Sequence, residues 1–230
     1  MARMNTERFT RRSSLARLGG ALVGAAGGRA LLSPAAEGGN KAVESGAVQC
    51  VLTPELTAGP YYIAGEKVRR DIREGHPGTR LTLRLRVLDA SSCKPIKGAA
   101  VDIWHADAAG NYSGFGAGAA SRTFLRGIQK TDANGLALYT TIYPGWYQGR
   151  AVHIHVKVHA GGRVVHTGQF FFNDSLTDAV YRAAPYSSRP NRDIRNAQDS
   201  IYVNGGKRSL LAVTKAGAGY VGTIAMGVHR

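Results

Sequence analysis

Two histidines in this chain have a spacing that suits metal binding. His153 and His155 are two positions apart in a stretch that alternates aliphatic and polar residues, as a β-strand does. Both side chains therefore leave the same face of the strand, about 6.6 Å apart at a rise of about 3.3 Å per residue. This spacing lets both imidazoles bind one ion. A solvent-exposed row of His and Lys would show the same alternation.

Two tyrosines lie in turn-rich segments that lead toward this strand. Tyr147 comes six residues before His153, and Tyr112 follows a predicted strand and turn. Phenolate oxygen is a hard anionic donor, so two tyrosinates hold iron in the Fe(III) state better than histidines alone would. The four side chains indicate a ferric iron site. A zinc or copper site on the two histidines is the alternative.

Five motifs in this part of the chain resemble, in order, those of the intradiol ring-cleavage dioxygenases. That family includes catechol 1,2-dioxygenases and protocatechuate 3,4-dioxygenases. The resemblance extends from about Leu52 to Phe172. The motifs are TAGPYY (57–62), VDIWHADAAGNYS (101–113), RGIQKTDANG (126–135), TIYPGWYQGRAVHIH (141–155) and TGQFFF (167–172).

The resemblance assigns a role to each candidate site residue. Arg150, three residues before the first histidine, corresponds to the active-site arginine, and Gln169 to the glutamine of the family's Thr-Gln pair. Both would stabilise negative charge during the reaction. Tyr147 would leave the iron to accept a substrate proton, while Tyr112 would stay bound. The implied ligands of Fe(III) are Tyr112, Tyr147, His153 and His155.

Two positions depart from the family pattern. Ala58 stands where secreted members usually have Glu, and Gly168 interrupts the Thr-Gln pair. Both departures concern the surroundings of the ligands and not the ligands themselves. The resemblance also implies that Tyr61 and Tyr62 form pocket walls, although buried core tyrosines would fit the same positions.

The hydrophobic pattern predicts an all-β fold. Many short strands with Gly-rich turns are typical of a β-sandwich, here with long loops and at most one or two short helices. One short helix is predicted to begin at Asp174 or Ser175 and to cover Leu176 to Arg182, and residues 183–204 are predicted to form an irregular loop. The predicted strands are Leu81–Leu88, Ala99–Trp104, Leu136–Tyr143, Val152–Val158, Val164–Phe172, Ser209–Thr214 and Tyr220–Val228.

The N-terminal segment differs in composition from the rest. Thr10-Arg11-Arg12-Ser13-Ser14-Leu15 precedes a Gly/Ala/Leu-rich stretch, a pattern that resembles a twin-arginine export signal. We expect a signal over residues 1–36, a flexible tail over 37–49 and a catalytic domain over 50–230, with the protein exported to the cell envelope or medium. A disordered basic N-terminus is the alternative. No apolar run approaches the roughly 20 residues of a membrane helix.

Cys50 and Cys93 are the only cysteines. In an exported protein this even count favours a disulfide between them, and two free buried thiols are the alternative. Two cysteines without a CxxC pattern argue against a zinc or iron–sulfur site.

The formal net charge is +15, and six arginines and one glutamate lie before residue 37, which leaves +10 without that segment. The remaining basic residues are scattered, so a nucleic-acid partner is not expected. The densest basic group is Arg69, Arg70, Arg73, Arg80, Arg84 and Arg86. Alternation over residues 81–87 places its strand arginines on one face, which is interpreted as a solvated basic face, with a polyanion site as the alternative.

The leading hypothesis is an exported Fe(III) intradiol dioxygenase whose partners are a small aromatic diol and dioxygen. Its products would be muconate-type diacids. The alternative is a secreted β-sandwich module that binds polysaccharide or cell wall and has a structural or vestigial metal site. The intact set of four ligands favours the enzyme.

The signal hypothesis predicts where the mature protein begins. Protein recovered from outside the cytoplasm should start near residue 37, as N-terminal sequencing would show. Recovery of a full-length cytoplasmic product would contradict it.

Overall fold

The computed structural model describes residues 51–116 and 118–230, which form eight strands and two short α-helices. The two helices are α1 (Asp174–Val180) and α2 (Ser200–Val203). The strands are β1 (Arg80–Asp89), β2 (Ala100–Trp104), β3 (Arg126–Lys130), β4 (Leu136–Ile142), β5 (His153–Ala160), β6 (Arg163–Phe171), β7 (Ala212–Ala216) and β8 (Gly219–Val228).

The strands make two four-stranded sheets. Sheet A has the order β4-β1-β8-β7, and sheet B has the order β3-β2-β5-β6. Within sheet A, β1 pairs with β8 in parallel and with β4 antiparallel. All pairings within sheet B are antiparallel. The predicted β-sandwich with two short helices is confirmed.

Alternation along the strands explains the two-layer packing. In β1, Leu81, Leu83 and Leu85 are fully buried, whereas Arg80 and Arg84 on the other face are exposed. In β5, Ile154, Val156 and Val158 are likewise fully buried and belong to the same core cluster as the leucines. Because strand side chains alternate in direction, the imidazoles of β5 leave the opposite, outer face of sheet B.

Three features of the fold differ from the sequence-based predictions. β3 (Arg126–Lys130) is a strand that the hydrophobic pattern did not reveal, because only Ile128 in it is aliphatic. α1 begins at Asp174, one of the two predicted starts, with Asn173 as its N-cap, but it ends at Val180, two residues before the predicted end. The stretch 183–204, predicted to be irregular, contains two short 3-10 turns and α2.

Some predictions lie outside the described residues. These are the export signal over 1–36, the tail over 37–49 and Cys50. The Cys50–Cys93 disulfide therefore stays a prediction. Among the residues that the structure describes, no helix is long and apolar enough to cross a membrane.

Candidate metal centre and active site

One register row across sheet B organises the site. Arg126 of β3 lies opposite Trp104 of β2, Trp104 lies opposite His155 of β5, and His155 lies opposite Gln169 of β6. All four side chains are almost completely buried, beneath the loops that cover the outer face of the sheet. The Trp104 indole stacks on the His155 imidazole, with ring centroids 4.9 Å apart and planes 3° from parallel. The row places four functional side chains on one line.

The two imidazoles converge as their spacing predicted. The Nε2 atoms of His153 and His155 are 3.0 Å apart, and the Tyr147 hydroxyl lies 3.2 Å from His153 Nε2. His153 Nδ1 is 2.6 Å from the carbonyl oxygen of Ala151 and must donate to it, since a carbonyl only accepts. His153 Nε2 is therefore unprotonated and presents a lone pair to the site, as a metal ligand does.

Tyr112 completes the set from the other side. Its hydroxyl is buried and has no hydrogen-bond partner among the described residues, which is costly for a polar atom. Its ring lies at 5.5 Å from the Tyr147 ring and 6.1 Å from the His155 ring. Two phenol oxygens and two imidazole nitrogens thus face one small volume, and this donor set fits a hard, trivalent iron.

Burial controls the protonation of all four side chains. Desolvation, then the positive charge of Arg150, lowers the pKa of His153 to about 3, and desolvation holds the pKa of His155 well below its usual range. Desolvation raises the pKa of Tyr112 well above 10 and also raises that of Tyr147. The imidazoles are therefore neutral and ready to bind. The phenols need a nearby cation to ionise.

A different metal site is not evident. Within the described ranges, no group of three or more His, Cys, Asp and Glu side chains is arranged to hold an ion. Tyr147 and Tyr112 are the tyrosines that lie beside the two histidines.

Arg150 lies at the edge of this donor set. Its Nη1 is 3.4 Å from His153 Nε2 and 3.5 Å from the Tyr147 hydroxyl. Its Nη2 donates to Gln169 Oε1 at 2.5 Å, and Gln169 Nε2 donates to the carbonyl of Thr57 at 2.8 Å. These contacts fix the guanidinium and the amide together. Gly168 does not displace Gln169, which remains opposite His155 in register.

Asp199 is the acceptor that holds Arg150, and the sequence analysis missed it. Its Oδ2 accepts from Arg150 Nε at 2.9 Å and from the Ala151 N–H at 2.8 Å, while Oδ1 caps α2 through the N–H groups of Ile201 and Tyr202. Burial raises its pKa, but these donors outweigh burial and lower it overall. Asp199 is 2 % exposed and thus forms a nearly buried ion pair.

Arg126 connects the loop that carries Tyr61 to the loop that carries Tyr112. Its role was not predicted from the sequence. Its guanidinium donates to the carbonyls of Ser113 and Tyr61, each at 2.6 Å, although the side chain is almost fully buried. It also lies 5.8 Å from the centroid of the Tyr112 ring. Arg126 therefore joins the Tyr61 loop to the Tyr112 loop.

Aromatic rings wall the site. Tyr61 stacks on Tyr112 with centroids 4.2 Å apart and meets Phe115 and Tyr147 edge-on. Gly59, at φ +67°, passes so close to the His155 ring that an added Cβ would lie 3.2 Å from Cε1. Of the two tyrosines considered as walls, Tyr61 contacts both tyrosines of the donor set. Tyr62 packs on Trp104 instead.

His105 serves the structure and does not face the donor set. Its Nδ1 contacts the carbonyl of Ala106 at 2.8 Å and its Nε2 contacts Thr141 Oγ1 at 2.7 Å. Both nitrogens are therefore satisfied, as expected of a buried histidine that forms part of the core.

Comparison with known proteins points in the same direction. The Dioxygenase family profile matches residues 57–187. An intradiol ring-cleavage dioxygenase from Tetranychus urticae is 36% identical, with a TM-score of 0.75, and the match covers 78% of this chain and 95% of that one. The dioxygenase domain of a dioxygenase carbohydrate-binding protein fusion from the cellulolytic bacterium Streptomyces sp. SirexAA-E is 32% identical, with a TM-score of 0.61, over 78% of this chain and 99% of that one.

Curated relatives are longer. Catechol 1,2-dioxygenase 2 of Acinetobacter lwoffii is 33% identical over 136 residues, which is 48% of this chain and 47% of the relative. The chain thus spans about half the length of the curated relatives that it matches first. The chain belongs to the intradiol ring-cleavage dioxygenase family.

Stability should fall in acid partly because of His105. Burial lowers its pKa to about 4, against an ordinary value near 6.5 in the unfolded chain. Its contribution to stability is complete above about pH 6.5 and is lost as the pH falls toward 4. Between pH 7 and pH 4, metal-free wild type should lose about 3 kcal/mol more free energy of unfolding than His105→Gln.

Urea unfolding at each pH measures this difference. The exposed His229 provides the control, since the free energy of unfolding of His229→Gln should change with pH as that of wild type does. If the free energy of unfolding of His105→Gln fell with pH as much as that of wild type, the His105 imidazole would not control stability in acid.

Proposed function

We propose that the protein is a non-haem Fe(III) dioxygenase that cleaves catechol-type rings between the two hydroxyl-bearing carbons, with dioxygen, to give muconate-type diacids. The observation that carries the proposal is the convergence of Tyr112, Tyr147, His153 and His155 on one buried volume beside Arg150. Family membership supports the reaction class.

Ferric iron, when bound by these four residues, would bind the diol as a dianion and make its ring reactive toward dioxygen. The remaining chemistry is supplied by protein side chains. Tyr147 is the residue placed to accept a substrate proton at its Oη, because it is half-buried and its phenolate would lie beside Arg150 Nη1 at 3.5 Å. Tyr112 is almost fully enclosed and would remain a fixed ligand.

Arg150 and Gln169 would stabilise negative charge on the substrate oxygens. Both are held before substrate arrives, Arg150 by Asp199 and Gln169 by the Thr57 carbonyl. Donors that need no rearrangement are the most effective in an enclosed site. The aromatic wall formed by Tyr61, Phe115 and Tyr147, whose rings meet edge-on, offers apolar contacts for a substrate ring and would exclude water from it.

Export by the twin-arginine route and a catalytic domain over residues 50–230 belong to the same proposal. The N-terminal Arg-Arg pair and the following apolar stretch support export. A structural neighbour is a dioxygenase domain fused to a carbohydrate-binding protein in a cellulolytic bacterium, which favours diols released from plant material as substrates.

Iron loading and substrate turnover test the proposal directly. Protein purified with iron should be red-brown from phenolate-to-Fe(III) charge transfer, and its colour should shift on adding catechol. Tyr112→Phe should lose most of that absorption, while Tyr62→Phe, outside the donor set, should keep it. Dioxygen uptake with a panel of catechols and product analysis identify the substrate. Colourless protein fully loaded with another metal would overturn the assignment.

Removal of the Arg150 guanidinium should slow turnover without loss of iron. Loss of one preorganised donor typically costs about 2.7 to 4 kcal/mol in the barrier, so kcat for Arg150→Ala should fall by about 10² to 10³.

Asp199→Asn retains an N-cap for α2 but weakens the ion pair with Arg150. We expect a smaller fall in kcat, roughly tenfold, with iron content unchanged.

Asp193→Asn is the matched control. Its carboxylate accepts from the Gly149 N–H at 2.8 Å in the same loop region but has no contact with the guanidinium. Normal turnover in Asp199→Asn, or an equal loss in Asp193→Asn, would refute the positioning role of Asp199.

A further inference from the structure

The outer face of sheet A carries a row of arginines that the proposed iron chemistry does not use. Arg80, Arg84 and Arg86 alternate along β1 with the buried leucines of the core. Arg80 and Arg84 are exposed and Arg86 is half-buried. Because β1 is flanked by β4 and β8, the row runs along the interior of the sheet and not along its edge.

The neighbours of this row on β4 and β8 are uncharged. Arg84 lies opposite Leu138 on β4 and Thr223 on β8, and Arg86 lies opposite Leu136 and Ala225. None of the cross-strand neighbours on these two strands is acidic or aromatic. Beyond β4, the exposed Asp71 bridges to Thr140 and forms an ion pair with Arg73. The outward residues of the four strands beside the arginines are Thr82, Leu136, Leu138, Thr140, Ala212, Thr214, Val221, Thr223 and Ala225.

Two of the arginines have no protein partner. In the described ranges, Arg84 and Arg86 take part in no ion pair or hydrogen bond of their side chains, whereas other arginines, such as Arg73 and Arg192, are bound to carboxylates. The carboxylate that Arg80 influences is Asp71, whose pKa is lowered mainly by its hydrogen bond with Arg73 and also by Arg80. The guanidinium groups of Arg84 and Arg86 are therefore free to bind an external anion.

We propose that this surface, the arginine face (Arg80, Thr82, Arg84, Arg86, Thr214 and Thr223), binds an acidic polysaccharide whose sugars carry carboxylates. Guanidinium groups bind carboxylates through two parallel hydrogen bonds, which lysine cannot do, and the face contains arginine but no lysine. Threonine hydroxyls on three strands, at 82, 214 and 223, match the hydroxyls of the sugars.

Other polyanions fit this surface less well. Single-stranded nucleic acid is bound by stacking on aromatic side chains, and no outward residue of the face is aromatic. Membrane surfaces are bound by inserted apolar residues, whereas the outward Leu136, Leu138 and Val221 beside the arginines are only half-exposed. A flat row of cations about 6.6 Å apart at Arg84 and Arg86 suits an extended chain of carboxylates.

The arginine face and the donor set lie on opposite sides of the sandwich. The donor set lies on the outer face of sheet B, and the arginine face lies on the outer face of sheet A, so the two point away from each other across the sandwich. A polymer bound to sheet A would leave the site on sheet B open to small substrates. Polymer binding at the arginine face does not require the reaction proposed for the site on sheet B.

Binding of the full chain to polygalacturonate tests the proposal. Isothermal titration calorimetry at low salt should detect binding to polygalacturonate and none to a neutral galactan. Arg84→Gln/Arg86→Gln should weaken the affinity roughly tenfold or more, with an unchanged melting temperature, because each lost guanidinium removes charge-assisted hydrogen bonds. Arg84→Lys/Arg86→Lys, which keeps the charge, should show an intermediate loss.

The control removes the same charge from the other sheet. Lys130 and Arg163 are exposed on β3 and β6, and Lys130→Gln/Arg163→Gln should bind polygalacturonate like wild type. An equal loss in both double variants would mean that net charge alone acts and would overturn the proposal. Absence of binding by wild type, or equally tight binding of poly(U) RNA or phosphatidylglycerol vesicles through the same arginines, would also overturn it.

Discussion

The structure depends on the burial of two phenols and two imidazoles around one point. Burial raises the pKa values of Tyr112 and Tyr147 and lowers those of His153 and His155, so all four are neutral in the absence of a cation. A buried hydroxyl without a partner is left over. A bound trivalent metal would satisfy these donors together and would thereby couple metal binding to folding.

The pairing register of the strands in sheet B places the site residues next to one another. Arg126, Trp104, His155 and Gln169 occupy one row over four strands. Arg126 joins two loops, and Trp104 stacks on the imidazole of His155. His155 contributes one of the four donors, and Gln169 orients Arg150. A slip of one residue in any strand would turn its member toward the hydrophobic core. The aliphatic residues that face the core therefore also determine the geometry of the site.

Prediction from the sequence succeeded where short-range periodicity carries the information. The alternation around His153 and His155 predicted both the strand and the shared face, and the order of the motifs predicted the family. Arg126 and Asp199 were missed because their partners are distant along the chain: Arg126 binds the Tyr61 carbonyl, and Asp199 binds Arg150. The signals available were weak. β3 contains only one aliphatic residue, so its sequence shows no alternating hydrophobic pattern. The N-cap Asp199 is the only sequence signal for the four-residue helix α2.

The parallel pairing of β1 with β8 has a consequence for how the protein is made. These strands are the first and last in the described chain, and they adjoin in sheet A. Sheet A therefore lacks a central ladder until the ribosome has released residues 219–228, and closing so long a segment is entropically slow. Until then, one edge of β1 is exposed and able to pair with other chains, so the nascent protein is most prone to aggregation between the synthesis of β1 and the synthesis of β8.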